Sequence, residues 1–213
     1  MLLAAIGVAG GYAYADLHAS SPDGQGPGAP AAAASPAYPT TAQLNLKPDS
    51  DLPPLAQDVP LVPAKLGPPG TGINLMVPEG WDRINSTNGT VGARWTAPGS
   101  PPGSYSVRVT LITTTQNPLA MVAGKIPQLQ LDSHLTYLKF LEQTVNTLIF
   151  TYVYDGDYRI EQVDRFVTLT GGPADVEIAT SGRLIDDPGM RALVDRMATQ
   201  MAYQPKKKPQ SGQ

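Results

Sequence analysis

Residues 147–169 read TLIFTYVYDGDYRIEQVDRFVTL, two runs of alternating apolar side chains on either side of Asp155-Gly156. Alternation with a period of two is typical of a strand with one buried face. Asp and Gly both tolerate the positive φ that a tight turn between two strands requires. The stretch therefore predicts a β-hairpin, and the apolar spacing of its second run predicts a bulge near Gln162.

Similar alternation continues on both sides of this hairpin. Residues 135–145 carry apolar side chains on both faces, which predicts a long central strand packed on each side. Shorter alternating runs predict further strands at residues 73–77, 91–95, 105–111 and 176–178. The strands of the domain are therefore expected to form an antiparallel sheet.

Two helices are predicted beside these strands. Asn117-Pro118 is a typical helix start and predicts a short helix over residues 119–123, ended by Gly124. Asp187 is expected to cap a final helix whose apolar stripe is Met190, Leu193, Val194, Met197 and Met201. Strands and helices in this order predict an α+β domain over residues 73–203, an antiparallel β-sheet flanked by helices, followed by a basic polar tail at 204–213.

Residues 18–72 differ sharply from this domain. They contain twelve prolines, each of which lacks an amide donor and biases the preceding residue away from the helical region. The composition predicts a disordered Pro/Ala/Gly-rich linker. In the extended polyproline form it would reach roughly 170 Å, at about 3.1 Å per residue.

Residues 1–17 begin with an apolar run, MLLAAIGVAGGYAYA. As a helix, 15 residues reach about 22 Å, less than the roughly 20 residues that span a bilayer core. One interpretation is a signal peptide cleaved near Ala15, although no Lys or Arg precedes it. The other is a signal-anchor or partial transmembrane helix, with Met1 lying inside a longer apolar run. Both interpretations place the rest of the chain on the extracytoplasmic side.

Composition excludes several classes of function. The chain has 213 residues, no cysteine, two histidines and a formal net charge of −3. Disulfide scaffolds, thiolate metal sites and cysteine nucleophiles all need the missing sulfur. Five of the 18 acids lie before residue 73, against Lys47 and Lys65, so the remaining 13 acids and 13 bases leave the domain neutral. A neutral domain lacks the clustered positive charge that nucleic-acid binding requires.

The domain resembles a known family. Val77-Pro78-Glu79-Gly80-Trp81, the later Phe150-Thr151-Tyr152 and Val163-Asp164-Arg165, and the closing amphipathic helix are similar to the PsbP-like α/β/α sandwich. That fold occurs in the photosystem II extrinsic protein, in a Ran-binding nuclear-import factor, and in actinobacterial LpqN-type lipoproteins and extracytoplasmic domains of Ser/Thr kinases. The chain lacks the cysteine of the lipoproteins and any kinase domain, so the resemblance implies a fold and an envelope location.

Candidate chemistry in the sequence is sparse. Asp132-Ser133-His134 contains the residue types of a hydrolase triad, but a triad is built from separate segments of the chain. Asp155, Asp157 and Glu161 could approach a Ca²⁺ ion, yet a calcium loop normally supplies six or more oxygens. The sequence therefore predicts no catalytic residue, metal site or cofactor.

The predicted function is that of a non-enzymatic extracytoplasmic binding or sensor module held at the membrane by its N-terminal segment. Its candidate binding residues are Trp81, Trp95 and Tyr105, which we expect in a cleft between sheet and helix. The partner would be an envelope protein, a lipid or a cell-wall component. The alternative is a structural or assembly accessory of the cell envelope without a small ligand, and an enzyme is a third possibility.

Overall fold

Ten strands and two α-helices make up the described part of the chain. The computed structural model describes residues 44–68, 70–86, 91–101, 103–154 and 157–205. The elements are β1 (Leu61–Leu66), β2 (Ile73–Pro78), β3 (Asp82–Asn85), β4 (Gly92–Thr96), β5 (Ser106–Leu111), α1 (Pro118–Leu131), β6 (Leu135–Gln143), β7 (Thr147–Tyr154), β8 (Tyr158–Val167), β9 (Val176–Gly182), α2 (Asp187–Thr199) and β10 (Ala202–Tyr203). This confirms the predicted α+β class. Residues 1–43 and 206–213 lie outside the described residues, and so do the predicted N-terminal helix and most of the predicted basic tail.

The strands form two antiparallel sheets. The larger has seven strands in the order β3-β4-β5-β9-β8-β7-β6, and the smaller has the order β1-β2-β10. The predicted hairpin is confirmed as β7–β8, whose register is continuous from Thr147 opposite Arg165 to Tyr154 opposite Tyr158. The bulge predicted near Gln162 is therefore wrong, and the irregularities lie between β6 and β7 instead.

One face of the seven-stranded sheet carries the larger core. Helix α2 and the small sheet lie against it, because alternate residues of the central strands are apolar and point to this side. The core on this face includes Ala93, Trp95, Val107, Val109, Ile149, Val163, Val176 and Ile178 of the large sheet, Ile73, Leu75 and Val77 of β2, and Met190, Leu193, Val194 and Met197 of α2. Four residues of the predicted α2 stripe are thus confirmed as core, whereas Met201 lies beyond the end of the helix and is only partly buried.

The opposite face is packed over only part of its width. Helix α1 covers it through Val122, which is fully buried against side chains of β7 and β8. The buried residues of this second cluster are Val122, Leu148, Phe150, Tyr152, Phe166 and Ala174. In the described residues, no helix covers the same face of β4, β5 and β9, so a concave region is left beside α1.

The domain begins earlier than the sequence predicted. The predicted linker ends at residue 72, yet β1 pairs with β2 from Leu61 opposite Pro78 to Leu66 opposite Ile73. Leu55 is also buried in the core. The prolines led to a wrong boundary because β1 is an edge strand. At an edge, a proline such as Pro63 can lack its amide donor without removing a hydrogen bond between strands. The boundary at 72/73 is therefore wrong, and the linker prediction for residues 18–43 falls outside the described residues.

Two other element predictions are wrong. The strand predicted as central, β6, is the last strand of the sheet, and Tyr137 and Leu141 on it are exposed. Asn117 does cap α1, since its Oδ1 accepts a hydrogen bond from the amide of Ala120 at 2.9 Å, but the helix continues through Gly124 to Leu131. A helical Gly costs only about 1 kcal/mol relative to Ala, which packing of the helix face offsets.

The start of α2 also differs from the prediction. The helix begins at Asp187, and Asp186 occupies the cap position without making a side-chain cap hydrogen bond. Instead the buried Asp186 carboxylate accepts hydrogen bonds from the amide of Leu55 at 3.0 Å and from Arg183 Nη2 at 2.8 Å. Arg183 in turn donates to the carbonyls of Ser50, Leu52 and Pro53 at 2.7–3.0 Å. This cluster holds residues 50–55 against the domain.

Candidate functional site

The three aromatic residues predicted to bind a ligand lie on the packed side of the large sheet. Trp81 and Tyr105 stack with ring centroids 5.6 Å apart, and both are partly buried against the core. Trp95 is only 2% exposed, with the Arg83 guanidinium 5.4 Å from its ring centroid. Their packing gives all three a structural role, and a binding role for Trp81 and Tyr105 stays a prediction.

The concave region beside α1 holds a larger opening, which we call the groove. It has a volume of about 680 Å³ and lies on the open face of the seven-stranded sheet. Its lining is rich in hydroxyls and rings: Arg94, Gly103, Ser106, Arg108, Tyr152, Tyr154, Asp157, Tyr158, Ile160, Gln162, Ala179 and Ser181. A second cavity of about 300 Å³ adjoins it and shares Arg94 and Arg108.

Small residues form the floor of the groove. Ser106 lies opposite Ser181 across β5 and β9, and their hydroxyl oxygens are 3.0 Å apart. Ala179 lies opposite Arg108 in the same pair of strands. Gly92, two residues before Arg94 on β4, lines the adjoining cavity and places no side chain on this face. Because these side chains are short, the larger ones around them rise as walls.

Two arginines stand side by side at the junction of the two cavities. Arg94 of β4 is directly opposite Arg108 of β5, and side chains so placed have Cβ atoms about 4.5–5.5 Å apart. In the described part of the chain, Arg94 makes no hydrogen bond or ion pair. Arg108 has one distant contact, from its Nη2 to Glu177 Oε2 at 3.8 Å, and its side chain is 53% exposed. Both guanidinium groups therefore remain available to a ligand.

A buried chain of polar groups supports the groove from the α1 side. The Tyr152 hydroxyl donates to Gln162 Oε1 at 3.3 Å, and Gln162 Nε2 donates to Asp164 Oδ1 at 2.7 Å. Lys125 of α1 completes the chain, with its Nζ 2.6 Å from Asp164 Oδ2 and in contact with Glu177 Oε1. Each of these side chains is thereby held in one position.

The electrostatics of this chain follow from burial. Asp164 has no exposed surface, and burial raises the pKa of its carboxyl although Lys125 opposes the shift. Burial lowers the pKa of Lys125, but the carboxylates of Asp164 and Glu177 outweigh it and raise that pKa overall. Burial and the nearby Asp164 raise the pKa of Tyr152 to about 12, and the charges of Arg94 and Arg108 oppose this shift. The tyrosine hydroxyl is therefore a hydrogen-bond donor at neutral pH.

The chain that precedes β1 contacts the rim of the groove at Asp157 and Tyr158. Lys47 Nζ lies 2.6 Å from Asp157 Oδ2 and 5.5 Å from the centroid of the Tyr158 ring. The amide of Lys47 also donates to the Asp157 carbonyl at 2.8 Å. Gly103, at φ +81°, lets the Tyr158 ring pack on the backbone, because a Cβ there would lie 3.0 Å from the ring carbons. The Asp157 carboxylate is thus already paired with the ammonium group of Lys47.

A second titratable cluster lies on the packed face, at the start of α2. Glu161 is nearly buried, and burial together with hydrogen bonding to Asp187 raises the pKa of Glu161 to about 8. Burial acts to raise the pKa of Asp187, but its hydrogen bonds with Glu161 and Arg191 lower that pKa overall. Arg191 also bonds Glu142 at 2.6 Å, so the cluster ties β6 and β8 to α2.

The other chemistry considered in the sequence does not converge. Asp132 Oδ1 accepts a hydrogen bond from the backbone amide of His134 at 2.9 Å, and the His134 ring stacks near Tyr154 at 6.1 Å. Asp157 lines the groove, whereas Glu161 faces α2 from the other side of the sheet. The described residues contain no group of three or more His, Cys, Asp or Glu side chains that could hold a metal ion. They also contain no helix long and apolar enough to cross a membrane.

Comparison with known proteins finds two distant structural likenesses and no family. No protein family and no curated protein matches the sequence. The structure is similar to that of the Ran-binding protein Mog1p of Saccharomyces cerevisiae, with 14% identity, a TM-score of 0.46, and coverage of 68% of this chain and 97% of Mog1p. It is also similar to PsbP (CyanoP) from Synechocystis sp. PCC 6803, with 13% identity, a TM-score of 0.38, and coverage of 66% and 92%. Both likenesses concern the fold and carry nothing about function.

Sequence reasoning missed the arginine pair. The signal was present in the alternation itself, because Arg94 adjoins the buried Trp95 and Arg108 lies between the buried Val107 and Val109. This pattern assigns the two arginines to the face away from the core. What the sequence lacked was the strand register that places them opposite each other.

Proposed function

We propose that this chain is a non-enzymatic binding or sensor module and that the groove holds a small ligand. The observation that supports this most is the unequal covering of the seven-stranded sheet. On one face α2 and the small sheet pack against β4, β5, β7, β8 and β9, while on the other face α1 covers β6 to β8. The open remainder is concave, and its volume of about 680 Å³ lies within the roughly 300–1,000 Å³ of small-molecule sites.

The lining of the groove also suits a ligand. Tyrosine rings at 152, 154 and 158 offer flat apolar surface with a polar tip, a combination typical of binding surfaces. The side chains beneath them are fixed by the buried chain from Tyr152 to Lys125, so the site is preformed. A preformed site loses less conformational entropy when a ligand binds.

We further propose that the domain sits at the outer face of a bacterial membrane. The apolar segment at residues 1–17 and the proline-rich residues that follow it support a tethered, extracytoplasmic position. So does the sequence resemblance to actinobacterial extracytoplasmic domains. The ligand would then come from an envelope protein, a lipid or a cell-wall component. In fractionated bacteria, the chain should sediment with the membrane and be cleaved by protease added outside intact spheroplasts, and recovery in the cytosol would refute this location.

The groove is tested by small-molecule screening. A chemically diverse fragment set is added to the full chain, and backbone amide shifts are followed by NMR. We expect the shifts to concentrate on strands β5, β8 and β9. Ser181→Phe, which fills the floor, should abolish them, whereas Ser133→Phe on an exposed turn should not. Because Ser181→Phe could disturb folding, Tyr154→Ala, which removes one exposed wall, provides a second variant.

Two results would refute ligand binding in the groove. One is a set of fragments that bind both phenylalanine variants equally, and the other is a screen in which no fragment shifts the groove strands. Either result would favour the alternative of a structural or assembly accessory without a small ligand.

A further inference from the structure

We propose that Arg94 and Arg108 form an oxyanion site, so that the ligand of the groove is a small organic acid whose head is a carboxylate or a phosphate. This inference rests on the proposed function of the groove and specifies the chemistry of its ligand. The head would lie at the junction of the two cavities, and the body would extend over the tyrosines.

The first argument is the cost of the arginine pair. Like charges directly opposite on neighbouring antiparallel strands destabilise a sheet. Arg94 and Arg108 are such a pair, and in the described residues neither has a close ion-pair partner. An anion placed between the two guanidinium groups would replace this repulsion with two attractions. Arginine is also the side chain best suited to carboxylate and phosphate, because its planar fork donates two parallel hydrogen bonds.

The second argument is the balance of charge on this face of the sheet. Two cations, Lys125 and Arg108, stand near the carboxylates of Asp164 and Glu177, and a third, Arg94, lies opposite Arg108. Those carboxylates are already occupied, since Lys125 contacts both. Asp157, the other acid of the groove, is paired with Lys47. The surplus positive charge is therefore at the arginines, and no free carboxylate of the lining faces a bound anion.

The third argument is that both arginines act on the same part of the groove. Arg94, Arg108 and Tyr152 all line the groove, and the two positive charges oppose the rise in the pKa of the Tyr152 hydroxyl. The hydroxyls of Ser106 and Ser181 line the same floor and can donate further hydrogen bonds. Beyond the polar floor, Tyr154, Tyr158 and Ile160 supply apolar surface for an organic body. A head-and-body ligand fits this division better than a bare inorganic ion.

The test uses four probes on the full chain: phenylacetate, phenyl phosphate, inorganic phosphate and the neutral benzyl alcohol. Affinities are measured by NMR titration at low and high salt. We expect one of the two aromatic anions to bind more tightly than benzyl alcohol and inorganic phosphate, and to weaken when salt screens the charges. The tighter of phenylacetate and phenyl phosphate identifies the head group.

Arginine variants assign the effect to residues. Arg94→Gln and Arg108→Gln should each weaken the better anion by about tenfold or more, the usual effect of losing a charge-assisted hydrogen bond. Arg159→Gln removes the same charge from the opposite face of β8, outside the groove lining, and should leave binding within twofold. All three variants are checked for folding by their unfolding midpoints.

The outcomes separate this inference from the function on which it rests. If benzyl alcohol binds the groove as tightly as the anions, or if Arg159→Gln weakens the anions as much as Arg94→Gln does, the oxyanion site is refuted while ligand binding in the groove stands. If inorganic phosphate alone binds as well as phenyl phosphate, the organic body is refuted. If Ser181→Phe leaves every probe bound, binding in the groove itself is refuted.

Discussion

Two glycines in helices offer a test of how the segment before β1 is attached. Gly189 lies near the start of α2, and a Cβ built there would stand 2.0 Å from the carbonyl oxygen of Leu55. Gly124 lies in α1, and a Cβ there would have no heavy atom within 4 Å. The same substitution to alanine should therefore have opposite effects at the two positions.

The size of the effect at Gly189 follows from what must move. Backbone cannot yield as a side-chain tip can, so residues 50–55 would be displaced from α2. Full burial of a leucine side chain contributes about 1.5–3 kcal/mol, and Leu55 is 6% exposed. The buried hydrogen bond from its amide to Asp186 would be lost with it. We expect Gly189→Ala to lower the free energy of unfolding by about 2–4 kcal/mol, allowing for the helix propensity that alanine adds.

The assay is urea unfolding of both variants, combined with limited proteolysis of the folded chains. Gly124→Ala should raise the free energy of unfolding by about 0.5–1 kcal/mol, since alanine favours the helix and loses less backbone entropy. Gly189→Ala should in addition expose residues 50–55 to cleavage while the rest of the domain stays resistant. If Gly189→Ala proves as stable as the native chain, the attachment of this segment is not what the structure indicates.

Three further predictions concern other parts of the domain. Trp81→Ala should lower the free energy of unfolding by about 2–3 kcal/mol, less than Trp95→Ala at about 3–5 kcal/mol, because Trp81 is only partly buried; equal losses would contradict this difference. In the folded chain, burial raises the pKa of Glu161 to about 8, from 4.5 in the unfolded chain. Between these two values the folded chain holds a proton that the unfolded chain has released, so the free energy of unfolding should fall as the pH rises through this range. Glu161→Gln should reduce this pH dependence of the free energy of unfolding, measured by urea titrations at pH 5 and pH 8.5. If the variant shows the same pH dependence as the native chain, other groups cause it. Proteolysis of the native chain should leave a fragment that begins before residue 55, and a stable core starting near residue 73 would contradict the pairing of β1.

The sequence was sufficient to predict most strands because their alternation reflects one buried face. It also predicted the stripe of α2, since helical spacing places Met190 and Met197 on the same side. It failed for β1 because the effect of Pro63 depends on whether the strand lies at an edge, which only the sheet order reveals. The position of β6 depends on the same order.

The candidate site was harder to predict than the fold. Large aromatic residues attract attention as binding residues, yet Trp95 is core, and burial cannot be distinguished from ligand contact by residue type. The groove exists because α1 covers less than the full width of the sheet, and the sequence does not state how far a helix reaches. Arg94 and Arg108 lie 14 positions apart in the chain and become neighbours only through the register of β4 and β5.

The bond between Lys47 and Asp157 has a mechanical consequence. Lys47 is the first described residue with a hydrogen bond to the rest of the domain, and it attaches at the rim of the groove. Tension applied through the preceding chain would therefore load this exposed pair first, before it reaches the buried Arg183 cluster or β1. Rupture there would free the edge of the groove at Tyr158 while the core remained intact. The Lys47–Asp157 pair at the groove rim is thus the first link between the preceding chain and the folded domain.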